Sequence, residues 1–318
     1  MMARTMACIS AICMSVLGVT VASGQQYPAR PVRLITSIVG SSSDFAARVI
    51  AQSLTSALGQ SVIVDNRAIA GIESAANAAP DGYTLLVYGS PLWITPLFEN
   101  GSSWNVWRDF SPIVLAIVSP NILVVHPSVG VKTVVELIAL ARAKPGELNY
   151  GSGPPGSTTH LAVELFNTMA GVNIVRIPYK GVGQALGDLI AGQVQVMMPN
   201  TAAAMVHVNS GRLRGIAVGS AEPSELAPGL PTVSASGVPG YQSVAMSGVF
   251  APAKTPARIV VQLNREIARI LGRPDIREIF FKAGGEAAGG SPDDFAKRIK
   301  VEIAQLGKVI AERGIRGK

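Results

Sequence analysis

Cysteine is almost absent from this sequence. It occurs at Cys8 and Cys13 only, both inside an apolar stretch at the amino terminus of the 318 residues. The rest of the chain therefore has no disulfide framework, no thiolate metal site and no cysteine nucleophile. Histidine is nearly as scarce: His126, His160 and His207 lie far apart, without the spacing of metal ligands. Aromatic residues make up 5%, and the basic residues behind the net charge of +7 do not gather with them into one stripe. That argues against a nucleic-acid surface. It leaves solvated helix faces or a mild attraction for anions. The sequence has no Gly-x-Ser-x-Gly elbow and no phosphate-loop Gly-Lys-Ser/Thr. After residue 24 no run stays apolar for the roughly 20 residues that cross a bilayer.

What is present starts with a leader. Arg4 gives a positive start, Met6 to Ala22 is an apolar run, and Ala22-Ser23-Gly24 is a small-residue cleavage site before Gln25. A lipoprotein reading fails, because Ser10-Ala11-Ile12-Cys13 lacks the Leu-like residue such a signal needs. Residues 1–24 are expected to be removed on export, leaving a mature protein with no cysteine. That suits an oxidising periplasm and a chain large enough to rely on its core. Apolar residues reach 48%, and the 33 glycines and 21 prolines are spread out, as tight loops between elements require.

Strands and helices alternate. Val32–Val39, Val62–Asp65 and Tyr83–Tyr88 have strand character, and Ser43–Leu58 spaces its apolar residues as a helix closed by Gly59. The alternation predicts βαβ units and a parallel sheet covered by helices. After Pro120 the pattern restarts. Strands are predicted at 121–125, 148–151, 174–177, 194–198 and 213–218. Helices are predicted from the Thr133–Glu136 capping box, at 160–170 and near 184–191. The last stretch is helical. Ser291-Pro292-Asp293-Asp294 starts a helix whose apolar face is Phe295, Ile299, Ile303, Leu306 and Ile310. A restart of this kind predicts two similar α/β lobes with a cleft between them.

Two small-residue loops carry the chemistry, one in each lobe. Each joins a strand to a helix: Gly40-Ser41-Ser42-Ser43-Asp44 and Gly151-Ser152-Gly153-Pro154-Pro155-Gly156-Ser157-Thr158-Thr159. A helix start offers free N–H groups and partial positive charge, so two such loops facing one cleft predict an anion site; simple capping is the alternative. The second loop also fits Gly-x-Gly-x-x-Gly. The next strand, however, ends at Pro178-Tyr179-Lys180 without the acid that would hold a ribose, so no nucleotide cofactor is expected. His160 beside Ser157 could be drawn as a base with a nucleophile, but a first-turn histidine is better read as a cap or cleft wall. Asp44 and Arg48, spaced i and i+4, form either a surface pair or part of the site.

These residues resemble the periplasmic receptors of tripartite tricarboxylate transporters, the TctC or Bug family. The likeness runs from about Tyr27 to Arg313. It is carried by Tyr27-Pro28-x-Arg30-Pro31-Val32-Arg33-Leu34-Ile35, Val64-Asp65-Asn66-Arg67 and Ala78-Ala79-Pro80-Asp81-Gly82-Tyr83-Thr84-Leu85-Leu86. It continues in Lys144-Pro145-Gly146-Glu147-Leu148-Asn149-Tyr150-Gly151-Ser152, Pro178-Tyr179-Lys180-Gly181, Leu230-Pro231-Thr232-Val233 and Phe250-Ala251-Pro252-Ala253-x-Thr255-Pro256. The resemblance implies a type II periplasmic-binding-protein fold of two Rossmann-like lobes with a hinge and an interlobe cleft. Lobe one would be residues 25–122 plus 247–318 and lobe two residues 123–246, with hinge strands near Ile122–Val125 and Met246–Phe250. The implied function is capture of a small organic carboxylate for the membrane permease subunits, by a monomer without cofactor or metal. The implied ligand-binding residues are Ser37, Gly40, Ser41, Ser42, Ser43, Asp44, Ser90, Ser152, Gly153, Gly156, Ser157, Thr158, His160, Tyr179, Lys180 and Asn200.

The departures fall at the cleft. The first loop, Thr36-Ser37-Ile38-Val39-Gly40-Ser41-Ser42-Ser43-Asp44, lacks the family's Pro-Phe pair and is shorter. The stretch after Asn66-Arg67 is reduced to Ala68-Ile69-Ala70-Gly71. Pro199-Asn200 stands where the family usually has an acid. Losing that acid favours a plain carboxylic acid over one bearing an amine. A sensor that reports ligand to a membrane kinase would share all of these features. An esterase would need a nucleophile and base that the sequence does not offer. The exported protein is expected to begin at or near Gln25, as intact-mass analysis of a periplasmic fraction can read; a full-length, membrane-bound species would overturn the leader assignment.

Overall fold

The computed structural model describes residues 27–99 and 101–316. The expected leader, 1–24, lies outside the described residues. Two sheets organise the chain. The first, in the order β11-β4-β10-β3-β1-β2, is built from β1 (Val32–Thr36), β2 (Val62–Asn66), β3 (Thr84–Gly89), β4 (Phe110–Pro120), β10 (Val244–Pro252) and β11 (Glu286–Gly289). The second, β7-β6-β8-β5-β9, uses β5 (Ile122–Val125), β6 (Asn149–Ser152), β7 (Val175–Pro178), β8 (Val196–Met197) and β9 (Arg214–Val218). The two repeat one plan. A parallel trio, β2-β1-β3 or β7-β6-β8, is flanked by an antiparallel strand, β10 or β5.

The expectation of parallel sheets is therefore half right. β4, β10 and β11 extend the first sheet antiparallel, and β5 and β9 extend the second. The reason is connectivity. β4 and β5 run head to tail across the Pro120–Ile122 junction, and β10 brings the chain back, so these strands cannot be βαβ crossovers. The sequence reading also places no strand over 110–120. There β4 is buried along most of its length, which hides the period-two signal.

Helix starts follow their capping chemistry. Ser41 caps α1 (Ser42–Leu58) by accepting from Asp44 N–H, and Gly59 ends it in the left-handed region at φ 65°. Thr133 caps α5 (Val134–Ala143) as expected, but Glu136 returns its bond to Lys132 N–H rather than to the cap residue. α6 (Thr158–Ala170) starts two residues earlier than its apolar spacing suggests, because Thr158 and Thr159 are already helical. α11 (Pro292–Glu312) has a complete capping box between Ser291 and Asp294.

α1 and α9 (Ala257–Leu271) cover one face of the first sheet, where Leu34, Ile50, Leu85, Val249 and Leu263 are buried together. The opposite face meets α3 (Pro91–Ile94) and α11. There Trp93, Phe110, Phe250 and Phe295 form an aromatic cluster, with Phe250 and Phe295 centroids 5.0 Å apart. α11 also packs on α6 of the second sheet; its C-cap Arg313 pairs with Glu164 of α6 at 3.3 Å, and Gln305 donates to the Gly240 carbonyl in the segment before β10.

Gly248 of β10 is where Phe295 seats, and a Cβ there would collide with its ring. Gly248→Ala is expected to cost about 1–3 kcal/mol by overpacking, read as a lower denaturant midpoint. Combining it with Phe295→Leu should recover part of that loss, because the two changes share one contact.

Candidate functional site

The chain passes between the sheets at Asn121 and again at Ser243, and a third segment at Gly219 joins them. Asn121 N–H donates to the Ser243 carbonyl (3.1 Å), Ser243 N–H to the Gly219 carbonyl (2.7 Å), and Gly219 N–H to the Asn121 carbonyl (2.7 Å). A Cβ on Gly219 would lie 2.6 Å from the Ser243 carbonyl oxygen, so only glycine permits this approach. The Asn121 side chain donates to Ser243 Oγ at 2.7 Å, while its buried Oδ1 has no partner among the described residues. Above this crossing lies a cavity of about 350 Å³. Its floor is Asn121, Ser243, Val244 and Met246. Ser90 and the α3 segment form one wall, the start of α6 another, and α11 the third.

The second-lobe loop is held from behind. Arg176 donates to Ser152 Oγ and to the Gly153 carbonyl, both at 2.8 Å. Gly153 N–H donates to Thr159 Oγ1 (3.0 Å) and Gly156 N–H to His160 Nδ1 (3.1 Å). Gly156 has φ 76° and carries the Phe98 ring against it, where a Cβ would clash. Ser157 is the N-cap of α6, yet its side chain caps no backbone N–H; its Oγ meets Thr159 Oγ1 at 3.3 Å instead. Gly156 N–H is taken by His160 and Ser157 N–H by the Pro154 carbonyl (3.0 Å), so the backbone donor left at the cavity is that of Thr158, the first helical residue, with Gly156 and Ser157 lining the space beside it. His160 is buried, and burial followed by the nearby Arg176 charge lowers its pKa to about 4. It is therefore a neutral acceptor for the loop, not a base beside Ser157.

The first-lobe loop is closed on itself. Asp44 is buried and accepts from Gly40 N–H (2.9 Å), Asn66 Nδ2 (2.8 Å) and Arg48 (3.0 Å). Burial opposes its charge, but the bonds from Asn66, Gly40 and Arg48 outweigh it and hold the carboxyl below its usual range. Asp44 thus forms the Arg48 pair of the alternative reading, but from a buried position in which it braces the loop. Ser41 caps α1, Ser43 Oγ bonds Ser247 Oγ at 2.9 Å, the Ser37 carbonyl accepts from Asn66, and Ser42 is exposed.

Of the expected site residues, Ser90, Gly156, Ser157 and Thr158 come together on the cavity. Ser152, Gly153 and His160 stand behind them. Ser37 and Gly40 to Asp44 do not line the cavity. Tyr179 gives its hydroxyl to Asp188 (2.8 Å), Lys180 is exposed, and Asn200 caps α8 (Thr201–Asn209). The sequence reading missed Phe98, Asn121, Ser243, Lys297, Arg298 and Glu302. One signal was available: Glu302 lies three residues after Ile299 and four before Leu306, on the apolar stripe of α11 itself.

The family described as "Tripartite tricarboxylate transporter family receptor" matches residues 46–315. The chain belongs to this family. The protein BugT of Bordetella pertussis is 35% identical over 303 residues, covering 93% of each chain. The solved structure of R. palustris Rpa4515 with adipate is 36% identical and superposes with a TM-score of 0.73, over 91% of this chain and 99% of that one. MatC (Rpa3494) from Rhodopseudomonas palustris with bound malate is 27% identical, with a TM-score of 0.68 over 89% and 100% of the two chains. A TctC-family chain with this two-lobe fold is a solute-binding receptor, not an enzyme.

The buried imidazole gives the receptor a pH signature. An unfolded histidine titrates near 6.5, whereas folded His160 resists protonation until about pH 4. Its stabilising contribution is complete above pH 6.5 and is lost as pH falls towards 4. The difference in unfolding free energy between wild type and His160→Gln should therefore shrink across that window. A constant difference would show that the imidazole titrates normally.

Proposed function

We propose that this receptor captures a small organic carboxylate in the cavity between its sheets and delivers it to the membrane subunits of a tripartite tricarboxylate transporter. The observation that carries the reading is the α6 start. Ser157 and Thr158 line the cavity where the first turn has no side-chain cap, so the helix terminus and the Thr158 N–H are left to it, and such a terminus favours an anion. Two relatives of this fold were solved with carboxylates, adipate in one and malate in the other. Ser90, Gly156, Ser157 and Thr158 form the grip; Ser152, Gly153 and His160 set the shape of its loop. The first-lobe residues Ser37 and Gly40 to Asp44, with Tyr179, Lys180 and Asn200, act where the lobes meet as they close. Lobe one is residues 25–122 plus 247–318 and lobe two residues 123–246, turning about the Asn121–Gly219–Ser243 crossing. The protein works as a periplasmic monomer after export, and among the described residues no helix is long and apolar enough to cross a membrane.

Ser157→Glu tests the grip. A carboxylate at a helix start stabilises by roughly 0.3–1 kcal/mol, so the melting temperature without ligand should hold or rise slightly. Binding should collapse, because the new carboxylate occupies the anion's place. Adipate, malate and any acid found by mass spectrometry of the purified protein are the titrants. Near-normal affinity in calorimetry would remove the site assignment, and a lowered melting temperature would mark a folding defect instead.

A further inference from the structure

The buried face of α11 runs through Phe295, Ile299, Leu306 and Val309, and an acid interrupts it. Glu302 projects from this stripe onto the cavity wall. Its Oε1 accepts from Ser90 Oγ and its Oε2 from Trp93 Nε1, each at 2.9 Å. Trp93 is fixed in turn by the aromatic cluster with Phe250 and Phe295. The carboxyl is thus held on α3, while the start of α6 borders the same cavity with its free Thr158 N–H. Ile94, Leu161, Val301 and Leu306 line the space with apolar side chains. Lys297 and Arg298 are the only other ionisable groups lining the cavity among the described residues; both are on α11, and α3, α6 and the strand floor supply none.

Resting on the reading that this cavity holds a carboxylate, we propose that Glu302 is a second, proton-sharing contact that selects linear dicarboxylates. One ligand carboxylate lies at the α6 start, the methylene chain runs along the apolar walls, and the far carboxylate meets the Glu302 carboxyl. A single proton from solvent is held between those two groups as a short O–H···O⁻ bond. The charges close on this arrangement: a dianion faces Lys297 and Arg298 while Glu302 is neutral. A ligand ending in an ammonium group would leave the cavity with surplus positive charge, and one ending in a methyl group would leave a desolvated carboxyl without a new partner. Burial raises the Glu302 pKa to about 7, against the bonds from Trp93 and Ser90, so the proton is available near neutrality. Below pH 7 the free protein already carries that proton; above it, binding must take one up.

The test is calorimetric titration of the full-length mature protein with linear dicarboxylates from succinate to suberate and with the monocarboxylates from butyrate to octanoate. Each is run from below to well above pH 7, in buffers of different ionisation enthalpy, so that bound protons are counted. Dicarboxylates should bind more tightly than monocarboxylates of equal length. Their affinity should fall about tenfold per pH unit on the alkaline side, with uptake of one proton. Glu302→Gln can still donate to a carboxylate and satisfy Ser90 and Trp93, but cannot titrate, so its dicarboxylate affinity should not change with pH. Should that variant fail to fold, the wild-type proton count decides alone. Carboxylate binding with no proton uptake, or the same pH slope in the variant, overturns the role of Glu302 and leaves the carboxylate site standing. Failure of both ligand series to bind overturns the carboxylate reading as well.

Discussion

The ring of three backbone bonds among Asn121, Gly219 and Ser243 is the constraint on which the rest of this structure hangs. Each bond contributes only about 1 kcal/mol net, but an unmade buried pair would cost more than a made one contributes. The ring brings together the outgoing chain, the segment after β9 and the returning chain at one point between the sheets. Because Asn121 and Ser243 also floor the cavity, the junction that joins the lobes is part of the surface proposed to receive the solute. Lobe geometry and cavity shape are therefore set by the same few peptide groups.

The two strand-to-helix loops, alike in composition, do opposite electrostatic work. In the first, the Asp44 carboxylate accepts Gly40 N–H of its own loop together with Asn66 and Arg48. In the second, Arg176 and His160 hold the loop from behind, and the helix start stays open towards the cavity. An internal anion neutralises one helix terminus, and the other is left uncapped at the cavity. The shortened first loop, lacking the family's Pro-Phe pair, fits a role as brace more than as grip.

Much of this was legible in the sequence. Apolar spacing marked α1, α6 and α11, and the small-residue loops marked both helix starts, because capping and periodicity are local properties. The restart after Pro120 marked the second sheet. What stayed hidden was non-local. β4 is too thoroughly buried to alternate, and antiparallel pairing of β10 depends on the route the chain takes between lobes. At the site, Ser157 and Thr158 were visible as chain neighbours of a glycine turn. Phe98, Asn121, Ser243 and Glu302 were not, since they reach the cavity from four separate stretches of sequence. Glu302 was hidden by its neighbour: Ile303 completes an equally plausible apolar stripe, but it is only half-buried.

α11 is the last helix of the described chain, yet it forms a wall of the cavity and reaches α6 across the lobe boundary. Synthesis runs from the amino terminus, so both sheets can assemble before this wall exists. Until residues 292–312 have docked, the cavity is an open groove without its acid, its cations or its aromatic support. The cavity is therefore complete only once this carboxy-terminal helix is in place, which ties its shape to the last-made helix of the described chain.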